Sequence, residues 1–66
     1  MKFCERLKSV RNECGLLQKD VCEKLGVSLN CYASYEQGRT EPNLEMLKRL
    51  CKLFDVSADY LLGLTD

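Results

Sequence analysis

The groups in this 66-residue chain best able to do chemistry are five thiols, Cys4, Cys14, Cys22, Cys31 and Cys51. A structural zinc site needs about four clustered ligands at short spacings. No Cys-x-x-Cys pair occurs here, and histidine is absent. A thiol nucleophile needs a base beside it, and without imidazole the chain lacks the usual one. A disulfide scaffold calls for an even count and a secretory leader. The count is odd, and the start, from Met1 through Lys2 and Glu5 to Arg6, is charged and helical in character. The thiols are therefore expected to be reduced and to act as small hydrophobes. A redox-sensitive Cys14 or Cys31 is the alternative. There is no glycine-rich phosphate loop, and so short a chain cannot enclose a cleft of paired carboxylates. The expectation is neither an enzyme nor a carrier of a cofactor or metal.

Composition narrows the remaining classes. At 45% hydrophobic and 30% charged the chain is globular in type. No apolar run approaches the roughly 20 residues that cross a bilayer, which predicts no membrane association. Ten basic side chains balance ten acidic ones, so no global positive field steers a polyanion toward it. The balance is uneven along the chain: residues 1–39 carry seven basic and five acidic groups, residues 40–66 three and five. Any surface for an acidic partner is expected in the first part.

Apolar spacing and punctuation predict five helices. Phe3, Leu7, Val10 and Cys14 fall on one helical face, and Gly15 ends it. Leu17, Val21, Cys22 and Leu25 form a second stripe, stopped by Gly26. Ser28 is placed to cap a third helix, Tyr32 and Tyr35 give its buried side, and Gly38 terminates it. After a loop containing Pro42, the residues Leu44, Leu47, Leu50, Cys51 and Phe54 make the clearest amphipathic stripe. Ser57 caps a last short helix with Tyr60, Leu61 and Leu62. Nothing alternates long enough to be a strand. The fold class expected is all-α, a compact five-helix bundle forming a single domain over residues 1–66.

The second and third helices are joined by too few residues to form a long hairpin. A turn of Gly26, Val27 and Ser28 makes them cross, as in a helix-turn-helix over about residues 17–37. The third helix then holds the core through its tyrosines and leaves Ser28, Leu29, Asn30, Ala33, Ser34 and Gln37 on its other side. Arg11 lies four residues beyond Leu7, and Glu36 four beyond Tyr32. Opposite charges at the edges of two core-facing stripes are expected to neutralise each other, because unpaired burial is costly.

With those residues placed, the chain resembles the lambda-repressor-like (Cro/C1, or XRE) helix-turn-helix family. The likeness rests on residues 16–28, on Tyr35, Glu36, Gln37 and Gly38, on Pro42 followed by Leu44, and on residues 54–63. It covers most of residues 3–64. The resemblance implies a transcriptional regulator that binds double-stranded DNA, in a cytoplasm, encoded by a bacterium or a phage. It implies base reading in the major groove by Ser28, Leu29, Asn30 and Ser34, and backbone contacts by Gln18, Gln37 and Arg39, to which Lys19 adds a cation. It also implies a largely buried structural salt bridge between Arg11 and Glu36. The chain departs from the family where Leu17 replaces the usual Thr or Ser cap, where Cys22 and Cys51 replace alanine, and where Leu29 replaces a polar residue.

Physical chemistry gives these positions distinct tasks. The Asn30 amide can pair bidentately with adenine, whereas Leu29 can only touch a thymine methyl. The N-terminus of the second helix suits a phosphate beside Gln18. One neutral module binds DNA weakly, so a homodimer on a pseudo-palindromic operator is expected, with Leu61 and Leu64 as its contact and repression as its outcome. The alternative is a protein-interaction module, or an antitoxin that binds a protein partner as well as DNA.

Overall fold

Helix ends in this chain are set by side chains that accept the free N–H groups of a first turn. In a computed structural model that describes residues 2–65, Ser28 accepts from the Cys31 N–H, Asn43 from Met46 and Ser57 from Tyr60. The two earlier helices lack such a cap. Instead Glu5 reaches back to the Lys2 N–H at 3.0 Å, and Asp20 to that of Leu17 at 2.9 Å. Five helices result: α1 (Phe3–Glu13), α2 (Gln18–Leu25), α3 (Leu29–Glu36), α4 (Leu44–Phe54) and α5 (Ala58–Leu61). No strand is present among the described residues, and none of their helices is long and apolar enough to cross a membrane.

The turn between α2 and α3 depends on Gly26, whose backbone is left-handed at φ +72°. Only glycine adopts that conformation without Cβ strain. The reversal lets the Val27 N–H close on the Cys22 carbonyl at 3.1 Å, so α2 ends cleanly and Ser28 opens α3 two residues later. Arg49 of α4 adds a clamp that the periodicity does not reveal: its Nη2 donates to the Leu25 carbonyl at 2.6 Å.

Leu7 and Val10 of α1, Val21 and Leu25 of α2, Tyr32 and Tyr35 of α3, Leu50 and Phe54 of α4, and Leu61 of α5 make one core. Helix α2 packs on α3, α1 on both α3 and α5, and α4 on α5. Arg6 fastens α1 to the C-terminal helix from outside, its guanidinium 4.4 Å from the Tyr60 ring centre, a cation–π contact. The Cα radius of gyration is 10.6 Å, close to the value of about 10.8 Å for a well-packed chain of this size.

Four apolar residues depart from their expected places. Cys14 and Leu17 lie beyond helix ends and are exposed, and Leu16 packs on the core instead. Leu44 opens α4 and is 78% exposed. The fourth bears on assembly: Leu61, expected as a surface contact, is 0% exposed. Helix α5 is a single turn wedged against α1 and α4, so only one direction around it faces inward. Leu61 takes that direction and Leu62, about 100° further round, is left 46% exposed. Leu64 is 73% exposed, as expected.

Candidate nucleic-acid interface

The third helix is a short rod whose inner side is fully engaged. Tyr32 is buried and Tyr35 nearly so, their rings meeting edge to face with centres 6.3 Å apart. At its far end Glu36 is buried against Arg11. Arg11 Nε donates to Glu36 Oε2 at 2.6 Å and Nη2 donates to Oε1 at 3.1 Å. The remaining Arg11 nitrogen, Nη1, donates to the Leu16 carbonyl at 2.8 Å. One guanidinium thus ties together α1, the turn before α2, and α3.

Burial alone would raise the Glu36 pKa. The hydrogen bonds from Arg11, with help from Tyr32 and Gln18, outweigh that effect and hold the carboxyl below its ordinary value. The same pairing raises Arg11 against the opposing cost of burial. Tyr32 is pushed far up, first by desolvation and then by the adjacent Glu36 carboxylate, so it remains a neutral phenol. Its hydroxyl is buried beside that carboxylate without closing a hydrogen bond of good geometry.

The outer side of α3 is open at its N-terminal end. Ser28, Leu29 and Asn30 are all exposed, Leu29 to 49%. The Ser28 hydroxyl already accepts from the Cys31 N–H at 3.1 Å, so it caps the helix and keeps its own O–H for another partner. The Asn30 side chain forms no hydrogen bond to the described chain, which leaves both halves of its amide available. Two polar groups, a hydroxyl and an amide, thus stand at the start of α3, with a leucyl group between them.

Ser34 is different. Its hydroxyl donates to the Cys31 carbonyl at 2.7 Å, so the Thr40 hydroxyl, 2.6 Å away, must donate to it. The Ser34 carbonyl receives the Arg39 and Thr40 N–H groups at 3.0 and 3.5 Å. This half-buried serine therefore spends its only proton internally. It anchors the loop that carries Gln37 and Arg39, both exposed. Thr40 was not among the expected site residues, because a hydroxyl contact across six positions of loop leaves no trace in helical periodicity.

Gln18 is also committed in part. Its Nε2 donates to Glu36 Oε1 at 3.1 Å, using one of its two amide protons and leaving the other. Lys19 beside it is exposed. The start of α2 is less receptive to an anion than a bare helix end, because the Asp20 carboxylate has turned back onto the Leu17 N–H. The structure thus gathers Gln18 and Glu36 on one network, Ser34 and Arg39 on another, and leaves Ser28, Leu29 and Asn30 free at the tip.

Comparison with known proteins bears on the fold that carries these groups. A helix-turn-helix family model matches residues 7–61. The HTH-type transcriptional regulator YobD of Bacillus subtilis (strain 168) is 41% identical over 64 residues, 97% of this chain and 57% of that protein. ImmR of the same strain, also an HTH-type transcriptional regulator, is 40% identical over 63 residues, covering 96% and 50%. The crystal structure of a transcriptional regulator from Listeria innocua superposes with a TM-score of 0.88 at 35% identity, over 98% of this chain and 61% of the other. The chain spans about half the length of the curated relatives it matches.

Proposed function

Since the chain belongs to the Cro/C1-type (XRE) helix-turn-helix family, whose members are transcriptional regulators and not enzymes, we propose that it binds double-stranded DNA and regulates transcription. Helix α3 enters the major groove with its N-terminal end foremost, the orientation general to this motif. Asn30 reads an adenine, Ser28 supplies an adaptable hydroxyl and Leu29 covers a thymine methyl. Gln18, Lys19, Gln37 and Arg39 hold the sugar-phosphate backbone on either side. The observation that carries this reading is the contrast across α3: an exposed tip with free polar groups on a helix whose inner side is fastened by Tyr32, Tyr35 and Glu36.

Two copies on a pseudo-palindromic operator, with half-sites about 34–36 Å apart, would make up for the lack of surplus charge. The simplest outcome is repression, with the bound dimer excluding polymerase from the promoter. Selection from a random DNA pool tests the proposal, and enrichment of a two-fold symmetric sequence is the expected result. Retardation of random-sequence DNA at two salt concentrations tests the underlying contact. Binding through phosphates weakens steeply as salt rises. The exposed Leu29 and the zero net charge favour a second reading, a protein-binding module on the same fold. Such a module retards no DNA at either salt concentration.

A further inference from the structure

Leu29 is a large apolar side chain that the bundle leaves half in water, 49% exposed and set between the exposed Ser28 and Asn30. Ala33, half-buried and one turn further along, lies on the same flank of α3. Asn30 and Ser34, each about 100° further round the helix, form a polar flank beside it. The tip of α3 thus has two sides. One can exchange hydrogen bonds with base edges, and the other can only exclude water from a hydrocarbon surface.

Among the four ordinary bases the major groove offers one such surface, the C5 methyl of thymine. The same methyl at the same ring position is what separates 5-methylcytosine from cytosine. A leucyl side chain has no donor or acceptor with which to tell the O4 of thymine from the N4 amino group of cytosine. We infer that Leu29 reads the C5 methyl itself and not the base that carries it, so that cytosine methylation within the bound site strengthens binding. This rests on the DNA reading proposed above and makes the methylation state of the DNA a determinant of how tightly it is held. A hydroxyl or amide in place of Leu29 would bond to O4 or N4 and separate the two methylated bases. An apolar group treats them alike.

Fluorescence anisotropy of the full chain on variants of the selected duplex tests it. Each thymine that the selection fixes is replaced in turn by uracil, by cytosine and by 5-methylcytosine. At one of these positions thymine should bind about fourfold tighter than uracil, the size expected for one buried methyl group. At that same position 5-methylcytosine should exceed cytosine by the same factor. In Leu29→Ala both ratios should fall to one while the helical circular dichroism is kept. Ratios of one at every thymine, ratios that survive Leu29→Ala, or a selected sequence without a fixed thymine overturns the inference. If the selected duplex still outcompetes random DNA in those cases, the DNA reading stands. A chain that binds none of the duplexes overturns both.

Discussion

Arg11 and Glu36, twenty-five positions apart, meet through two hydrogen bonds of 2.6 and 3.1 Å inside the bundle. Together with the Arg11 bond to the Leu16 carbonyl, this pair fixes how α3 leaves the core. Removing one partner strands the other as a buried charge, which costs about 3–5 kcal/mol. A domain of this size has a total stability of roughly 3–10 kcal/mol. Arg11→Ala and Glu36→Ala are each expected to lower the urea midpoint sharply. The double variant should fall well short of the sum of the two, since it strands neither charge. Strict additivity in that cycle would show that the two side chains act independently.

The same carboxylate makes the fold sensitive to acid. Glu36 titrates below the ordinary value of 4.5 in the folded protein, so the unfolded chain takes up its proton first as pH falls. Its stabilising contribution is complete above that ordinary value and disappears as pH drops through the lowered folded one. Thermal melts from pH 7 down to pH 3 should show the loss of melting temperature concentrated below about pH 4.5. Glu36→Gln should start lower and change less over the same span. An equally steep fall in that variant would place the sensitivity in other carboxylates.

Ser34 and Thr40 carry a third expectation. Because the Ser34 proton is given to the Cys31 carbonyl and its oxygen receives Thr40, we propose that the serine positions the Gln37 and Arg39 loop and leaves base reading to the tip of α3. Ser34→Ala and Thr40→Val should therefore weaken binding to selected and random duplexes by the same factor. The factor is about 2- to 12-fold, the range of one hydrogen bond. Isothermal titration on both duplexes measures it. A change in preference at a single base position would instead return Ser34 to the reading set.

These cases show where the sequence was informative. Helix positions followed from apolar spacing and from Gly26 and Ser28, because those signals are local: one residue type dictates one backbone state. The Arg11 and Glu36 pair was legible for a related reason, since a charge at the edge of a core stripe needs a partner. The misplaced residues lie where a helix ends. Cys14, Leu17 and Leu44 continue an apolar pattern by one step, yet each occupies a cap or terminal turn with no neighbour to cover it. Periodicity extrapolates, whereas burial depends on which helix packs alongside. The Ser34 and Thr40 contact and the Arg49 clamp on Leu25 arise between segments, and no spacing within either segment announces them.

The central claim is that the tip of α3 reads base edges, and Asn30 tests it most directly. The measurement is the affinity of the wild type and of Asn30→Ala for the selected duplex and for a random one, at a single salt concentration. The account predicts a loss of roughly 1–3 kcal/mol, about 5- to 150-fold, on the selected duplex and almost none on the random one. Equal losses on both duplexes, or no loss on either, would contradict it.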